Sequence, residues 1–328
     1  MRRRRSNVLL RRVIGCCLLL GIGRAAHAQT GIRPEGAFDF VRPTGARVLG
    51  MGQAGVATAF GAEALWWNPA LIAHGPREAD MGLVTGVITT DADVNLAFVY
   101  PIPHVISFGL SLRYVDLGEQ EALDSTSTTT GTFRSSSDVL MGTVAAPFGD
   151  RLAIGLSLKM YALRFSKTGE VENAPSGSPI TGAFDLGAQY IATKDSVFIL
   201  GAALRNVGLP LQVNDAPQAD PLPGRAEFGV QFKPRFPTYP DVDLRVVGDV
   251  ITPLGGGGPG YRLGGEVSWE KMYHARAGYV VDGPTGSGPT IGVGASFARW
   301  RVDFAQFLND LSTDGSNKPT YLSIRYAF

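Results

Sequence analysis

The sequence has 328 residues, of which 45% are hydrophobic, only 18% are charged and 42 are glycine. Both cysteines, Cys16 and Cys17, lie in the first 28 residues, so the remaining chain offers neither disulfides nor thiolate metal ligands. Those 28 residues also hold seven of the 30 basic residues and none of the 29 acidic ones, which leaves 23 basic against 29 acidic residues and argues against nucleic acid as a partner.

The amino-terminal 28 residues have the three parts of a secretory signal peptide. Arginines at positions 2 to 5 precede an apolar run over 13–22, and Ala26-His27-Ala28 has the small residues of a cleavage site. The pattern predicts a signal peptide over residues 1–28, export through the general secretory route, and a mature chain that starts near Gln29. A lipoprotein cleavage box ending at Cys16 is the weaker alternative.

A glycine-rich apolar segment follows, and it is the one stretch of the mature chain that does not alternate between apolar and polar residues. Glycine permits close backbone contact, tryptophan supplies a large contact area, and an Asn-Pro pair favours a turn. We therefore expect residues 29–78 to form a compact plug with short helical turns, enclosed by the rest of the chain. The residues that carry this expectation are Gly45, Gly50, Gly52, Gly55, Trp66, Trp67, Asn68 and Pro69.

From residue 79 onward the hydrophobic period becomes two, which is the period of a β-strand. In the clearest example, Ile106, Phe108 and Leu110 alternate with Ser107 and Gly109. Long strands with one apolar face and one small or polar face are typical of membrane barrels, whereas a secreted β-sandwich or propeller, the alternative, has shorter strands. We predict an all-β fold, a transmembrane outer-membrane β-barrel of about 14 antiparallel strands over residues 79–328. The predicted strands cover 79–90, 92–101, 104–118, 133–147, 151–166, 179–192, 197–208, 223–233, 241–252, 260–269, 272–281, 289–299, 300–308 and 319–328.

The connections predict an up-and-down barrel with both termini in the periplasm. Connections after even-numbered strands are mostly short, such as Gly149-Asp150, and those after odd-numbered strands are mostly long and polar, such as 119–131. The last strand ends in aromatic residues, Tyr326 and Phe328, which resemble the signal read by the outer-membrane assembly machinery. Other aromatic residues near strand ends, Tyr321 among them, are expected in the interfacial girdles.

Catalytic and cofactor motifs are absent from the mature sequence, so we expect neither an enzyme nor a cofactor or metal. No serine lies in a Gly-x-Ser-x-Gly elbow, and His74, His104 and His274 stand apart as surface or interface residues. Gly50-x-Gly52-x-x-Gly55 matches the dinucleotide fingerprint, but no strand precedes it and no helix–strand unit follows. Asp93, in an Asp-x-Asp pair, is expected to be a solvated turn residue.

Five charged residues fall on lumen-facing positions of the predicted strands. Charges on such positions either select a solute or are solvated by lumen water and paired with the plug. The sequence leaves both alternatives open. These residues are Arg113, Lys159, Arg262, Glu266 and Arg325.

The plug segment also carries a family resemblance. The run Gly45-Ala-Arg-Val-Leu-Gly-Met-Gly-Gln-Ala-Gly-Val-Ala57, followed by Trp66-Trp-Asn-Pro-Ala70, resembles the amino-terminal signature of the PorV/PorQ family. Members of that family are outer-membrane barrels related to the FadL-type hydrophobic-compound transporters, and the resemblance implies a plug inside a fourteen-stranded barrel. One difference is that Gly61-Ala-Glu-Ala64 stands where an acidic pair commonly precedes the Trp-Asn-Pro part.

Two functions follow from these resemblances. Similarity to PorV/PorQ implies an accessory barrel for protein secretion or surface attachment in the outer membrane of a Gram-negative-type bacterium, with secretion-system proteins or cargo bound to its outer loops. The alternative, similar to FadL-type transporters, is a channel that takes hydrophobic small molecules through its plugged lumen. Outer-membrane lipid and the assembly machinery are expected partners in both cases.

Overall fold

The computed structural model describes residues 35–328 except for 86–91, 124–127, 170–177, 194, 214–218, 284–285 and 310–317. In this part of the chain fourteen antiparallel strands close into one barrel, because each strand pairs with its sequence neighbours and β1 pairs with β14. The predicted fourteen-stranded barrel is confirmed. The strands are β1 (Glu78–Thr85), β2 (Ala92–Ile102), β3 (Ile106–Leu123), β4 (Thr129–Phe148), β5 (Leu152–Gly169), β6 (Ile180–Ile191), β7 (Phe198–Gly208), β8 (Arg225–Phe232), β9 (Val242–Pro253), β10 (Gly260–Trp269), β11 (Tyr273–Gly283), β12 (Gly286–Phe297), β13 (Trp300–Phe307) and β14 (Thr320–Ala327).

The strands alternate because their apolar residues face outward and their small or polar residues face inward. In β2, Leu96, Phe98 and Tyr100 are between 37% and 48% exposed, whereas Asn95 and Val99 are buried. An apolar outer face and a polar lumen suit a barrel surrounded by lipid. Among the described residues, no helix has the length and apolar character needed to cross a bilayer.

Strands β3, β4 and β5 are 18, 20 and 18 residues long, respectively. A strand needs only about 9–11 residues to cross a bilayer, so these three continue beyond it. Their extra residues stay in the sheet, as the pairing of Glu119 with Arg134 illustrates. The predicted loop over 119–131 is therefore wrong in part, since β3 runs to Leu123 and β4 begins at Thr129.

The two ends of the barrel differ in their connections. One end, here the short-turn end, carries tight connections such as 270–272, and the other, here the long-loop end, carries longer ones such as 209–224. The carboxyl-terminal Phe328 lies at the short-turn end, where its N–H donates to the carbonyl oxygen of Arg77 (3.2 Å).

The first described residue, Glu35, lies at the opposite end from Phe328. Its carboxylate pairs with Arg225, which begins β8 immediately after a long connection (2.6 Å). The predicted signal peptide and the mature amino terminus fall in residues 1–34, outside the described residues, so a periplasmic amino terminus stays a prediction.

Residues 35–77, here called the plug, run through the inside of the barrel as short helical elements. Their bounds are Phe38–Val41, Gly61–Glu63 and Pro69–His74 for three 3₁₀ turns, and Ala46–Gly50 and Ala64–Trp67 for two α-helical turns, α1 and α2. α1 contacts β11 to β14, whereas the last 3₁₀ turn contacts β2 to β6. The plug therefore touches opposite sides of the wall. Residues 43–59 are all buried, and Phe60, which follows them, is partly exposed.

Two residues depart from the sequence expectations. Tyr321 is only 2% exposed and packs against Ala46 and Leu49, because it lies on the inward face of β14; its expected place in an outer girdle is wrong. Asp93 is 1% exposed, because it lies on the inward face of β2 and pairs with Arg113. The expectation of a solvated turn residue is wrong there as well.

Candidate functional site

The two tryptophans of α2 bind the plug to the wall and to itself, and each is only 2% exposed. Trp66 Nε1 donates to Asn95 Oδ1 (2.9 Å) and Ser111 Oγ (3.0 Å) on β2 and β3. Trp67 Nε1 donates to the carbonyl oxygen of Thr44 (2.8 Å). Because each indole N–H has an acceptor, the ring faces remain free for apolar and cationic contacts.

Cationic side chains lie over both indole rings of α2. The guanidinium of Arg113 and the Nζ of Lys159 lie 5.3 and 5.7 Å from the centroid of the first ring. The guanidinium groups of Arg205 and Arg262 lie 5.6 and 5.3 Å from the second. Each such contact contributes about 0.5–2 kcal/mol. Three of the five predicted lumen charges, namely Arg113, Lys159 and Arg262, therefore help to hold the tryptophan motif.

Asn68 fixes the turn that follows α2. Its Oδ1 accepts a hydrogen bond from the Ala70 N–H (3.1 Å), and its Nδ2 donates to the carbonyl oxygens of Val56 (2.8 Å) and Ala188 (3.0 Å). Pro69 then begins the last 3₁₀ turn, a position where a missing N–H removes no hydrogen bond. The Asn-Pro pair thus joins three segments, namely the turn itself, the earlier plug backbone and β6.

The plug glycines lie where the backbone touches another surface. A Cβ on Gly50 would lie 3.1 Å from the backbone of β12, and a Cβ on Gly55 would collide with the ring of Trp67. Gly45 and Gly52 have φ angles of 87° and 67°, in the left-handed region that favours glycine. Side chains on Gly50 and Gly52 would push the plug off the wall, and side chains on Gly45 and Gly55 would collide with Glu63 and Trp67 within the plug.

The wall is itself glycine-lined where the plug lies against it. A Cβ on Gly187 would lie 2.8 Å from Pro69 Cδ, and a Cβ on Gly229 would lie 2.9 Å from Val56 Cβ. The small residues on the inward strand faces are therefore contact positions for the plug backbone. They comprise Gly109, Gly155, Gly187, Gly201, Gly229, Gly264, Gly278 and Gly292.

Glu266 on β10 binds four arginines at once. Its Oε2 accepts hydrogen bonds from Arg47 Nε (3.0 Å), Arg276 Nε (2.7 Å) and a terminal nitrogen of Arg301 (3.3 Å), and its Oε1 pairs with Arg245. Of these arginines only Arg47 belongs to the plug, and its side chain is fully buried. Loss of one member of a buried ion pair costs about 3–5 kcal/mol, so Arg47 is a strong tie between α1 and the wall.

Arg325 on β14 links the plug to the seam where the barrel closes. It pairs with Asp303 of β13, and its guanidinium lies 3.5 Å from Glu63 Oε1 and 3.7 Å from Asp80 Oδ2. Glu63 also pairs with Arg47 (3.3 Å). The plug thus contributes one cation and one anion to a single network that includes β10, β13, β14 and β1.

Arg113 on β3 holds the first part of the plug from the other side of the barrel. It forms a bidentate pair with Asp93 (2.8 and 2.5 Å) and donates to the Arg42 carbonyl oxygen and to Thr44 Oγ1, both at 3.1 Å. A bidentate pair fixes the guanidinium plane, which aims its remaining N–H groups at the plug backbone.

A bulge in β7 turns two consecutive side chains into the lumen. The register between β6 and β7 shifts there, Asn206 has a φ of 58°, and both Arg205 and Asn206 are buried. Asn206 Oδ1 accepts a hydrogen bond from Lys159 Nζ (2.7 Å), and Lys159 pairs with Asp185 (2.6 Å). Arg205 pairs with Glu227 (2.7 Å) and donates to a carbonyl oxygen of α2.

The structure places the five predicted lumen-facing charges inside the barrel, each at most 4% exposed. Arg113, Lys159 and Arg325 pair with carboxylates, and Glu266 pairs with arginines. Arg262 donates to the carbonyl oxygen of Gln53 in the plug (3.2 Å). In this conformation the five charged side chains are bound to groups of the plug and of the wall. A part in solute selection stays a prediction.

Aromatic and aliphatic side chains form an apolar cluster toward the long-loop end. Phe40 and Tyr161 meet edge to face, with ring centroids 5.5 Å apart. Leu211 and Leu222, from the connection between β7 and β8, are 2% and 8% exposed and pack into the same core. The apolar cluster comprises Phe40, Trp66, Trp67, Tyr161, Leu211 and Leu222.

The connection between β7 and β8, here called the lid, is described over 209–213 and 219–224, and both described parts approach this cluster. Leu211 and Asp220 exchange two backbone hydrogen bonds of 2.8 Å, which gives the lid a narrow hairpin shape on either side of 214–218. Pro221 accepts a hydrogen bond from the Gly36 N–H of the plug (2.9 Å). The lid and the first plug residues therefore cover the apolar cluster together.

The sequence does not identify the residues that hold plug and lid. An isolated arginine in an apolar segment is the one available signal for Arg47. Glu63, Asp303 and Arg205 carry no comparable signal, because their partners lie far away in the sequence. Leu211 lies in a stretch that alternation assigns to a solvated loop.

The histidines do not form a metal site. Within the described ranges, no group of three or more His, Cys, Asp or Glu residues is placed to hold a metal ion. His74 and His104 are exposed, whereas His274 is buried and hydrogen-bonded to Ser268 (2.8 Å) and Ser296 (2.9 Å). The expected surface position is therefore wrong for His274, since it lies on the inward face of β11.

Comparison with known proteins supports the fold. No protein-family profile and no curated protein matches the chain. The fold is similar to that of the Ralstonia pickettii toluene transporter TbuX, with 15% identity, coverage of 88% of this chain and 99% of that one, and a TM-score of 0.59. The Pseudomonas putida toluene transporter TodX is 13% identical, with coverage of 87% of this chain and 96% of that one and a TM-score of 0.56. A Pseudomonas aeruginosa FadL homologue is 12% identical, with coverage of 88% of this chain and 99% of that one and a TM-score of 0.54.

At these identities the likeness concerns the fold. Two of these structural relatives are toluene transporters and the third is a FadL homologue. The PorV/PorQ resemblance and a part in protein secretion receive no support from these comparisons.

Proposed function

We propose that the protein is an outer-membrane channel for apolar small molecules and that the apolar cluster beneath the lid is its ligand-binding region. The observation that carries this proposal is the cluster itself, which brings Phe40, Trp66 and Leu211 together beneath the lid. Two of the structural relatives are toluene transporters, which supports the same class of solute.

Movement of the lid gives the ligand its route to the cluster. The lid is a connection and not a strand, and its main-chain tie to the plug is the bond from Gly36 to Pro221. Segments with few such bonds open at lower free energy than paired strands do. An apolar ligand then replaces Leu211 and Leu222 against Phe40, which keeps the apolar surface covered.

The rest of the plug makes the channel selective against ions. Residues 61–73 are all buried, and Arg113, Lys159 and Arg205 beside them are paired with carboxylates. Placement in the outer membrane of a Gram-negative-type bacterium, with the long-loop end outward, belongs to this proposal, and the apolar outer face and the signal-peptide pattern support it.

A reversible lock between lid and plug tests the proposal. A Cβ on Gly36 would lie 3.0 Å from Asp220 Cβ, within about an ångström of the separation in a disulfide. The mature chain has no cysteine of its own, so the double variant Gly36→Cys/Asp220→Cys carries a single new pair. Cells that express it should take up radiolabelled toluene about tenfold more slowly when the pair is oxidised, and reduction should restore the rate.

The two single-cysteine variants are the matched controls, and their uptake should not respond to the oxidant. Uptake that stays the same with the lid locked would exclude the lid route. Native mass spectrometry of the extracted barrel adds a second check, because a stoichiometric protein partner in place of an apolar ligand would contradict the channel and support a secretion role.

A further inference from the structure

A cavity of about 180 Å³ opens at the short-turn end of the lumen beside Phe60. Pockets for drug-sized ligands measure about 300–1,000 Å³, so this cavity suits a small ion better than an organic solute. It lies at the end opposite the lid and shares no residue with the apolar cluster.

Cationic side chains outnumber anionic ones around this cavity. Lys233 and Asp243 neutralise each other at 3.1 Å. Glu266 is already bound by two arginines that do not line the cavity, in addition to the two that do. The charged residues of the lining are Lys233, Asp243, Arg245, Glu266, Lys271 and Arg301.

Two of these cationic side chains have nitrogen donors without an acceptor among the described residues. The Nε of Arg245 is buried and has no hydrogen-bond partner there. Lys271 forms neither an ion pair nor a hydrogen bond within the same part of the chain. A buried donor without an acceptor destabilises the folded protein, and an anion in the cavity would remove this destabilisation by accepting the hydrogen bond.

Backbone strain places Lys271 at the mouth of the cavity. Glu270 and Lys271 have φ angles of 52° and 57°, and the Met272 N–H donates to the Trp269 carbonyl oxygen across them (2.9 Å). Two positive φ angles in a two-residue turn favour Asn-Gly, so Glu-Lys is an unfavourable choice for the turn alone. Such strain is retained where the side chain has another use.

We propose that this cavity binds a small oxyanion, such as inorganic phosphate, between Arg245 and Lys271. A guanidinium offers paired N–H donors to oxyanion oxygens, and an ammonium adds a point charge on the open side. Arg301 and Phe60 close the inner side of the cavity. The ligand comes from the water at the short-turn end, independently of any apolar solute.

The folded barrel in mild detergent, titrated calorimetrically with inorganic phosphate and then with sulfate, tests the proposal. The wild type should bind one of these ions saturably at one site. Arg245→Gln and Lys271→Gly should each raise the Kd about tenfold or more, because each removes a charge-assisted contact. Arg245→Lys should restore part of the affinity, since it keeps the charge.

Lys271→Gly also separates binding from folding. Glycine relieves the positive φ, so the midpoint of thermal denaturation should stay the same or rise while the affinity falls. Glu270→Gly relieves the same strain without removing a cation and should bind at least as tightly as the wild type. The proposal is overturned if the wild type binds neither ion saturably, or if Lys271→Gly and Glu270→Gly bind alike.

Discussion

The plug meets two unlike sides of the lumen. Toward β10–β14, Arg47 and Glu63 join a buried ion-pair network, in which each partner has a fixed direction and a defined set of contacts. Toward β2–β6, Arg113 donates to the first part of the plug, but Trp66 and Ile72 pack among small apolar residues such as Ala97. Ion pairs lose much when one partner leaves, whereas apolar contacts are non-directional and accept a substitute surface. The ionic side therefore fixes the plug, and the apolar side is where a ligand can replace protein contacts.

Removal of residues 45–73 breaks both sides at once and has the largest expected effect. The fourteen strands pair with one another without help from the plug, so the shortened chain should still assemble into a heat-modifiable barrel. Planar bilayers containing it should show a stable ion conductance that the full chain lacks. Failure of the shortened chain to fold would mean that the segment is an essential core and not a plug.

Arg47→Met tests the ionic side alone. The change leaves Glu63 and Glu266 with fewer partners and should lower the free energy of unfolding by about 3 kcal/mol, measured by urea titration of the folded barrel. It should also loosen the plug and produce intermittent conductance in bilayers.

Arg276→Met is the matched control for the ionic side. Arg276 is equally buried and binds the same Glu266, but its ion pairs all join wall residues. Its loss should lower the free energy of unfolding by a similar amount, but bilayers that contain the variant should show no ion conductance. Equal conductance from both variants would show that the ion pairs stabilise the wall and do not anchor the plug.

Leu211→Ala tests the apolar side and has the smallest expected effect on the whole molecule. Truncation of a buried leucine costs about 2 kcal/mol or more, but here the cost falls on the lid and not on the strands. Limited proteolysis within 209–224 should accelerate about tenfold, with the urea midpoint of the barrel unchanged. Leu254→Ala, on a neighbouring connection where the side chain is 52% exposed, should leave proteolysis at the wild-type rate.

The alternation of residues was enough to predict the strands and the inward position of Arg113, Lys159 and Glu266, because the period of two is a local property of an extended chain. Their partners were not predictable in the same way. Glu266 meets Arg47 across 219 positions of sequence, and no local pattern links them.

The local sequence pattern predicts neither the bulge in β7 nor the inward fold of the lid, and the reasons are related. An extra residue in β7 turns both Arg205 and Asn206 inward, which a strict period of two does not allow. The sequence of the lid resembles a polar loop, since Leu211 enters the core between two exposed neighbours. In both places tertiary contacts override the local pattern.

The glycine-lined wall also dictates the order of assembly. The plug lies almost backbone to backbone on β5, β7, β10 and β11, through Gly155, Gly201, Gly264 and Gly278, which leaves no clearance to thread it through a finished ring. It directly precedes β1, whose pairing with β14 is the final closure. The plug must therefore be in place before the seam forms, and the assembling sheet wraps around it as around a template.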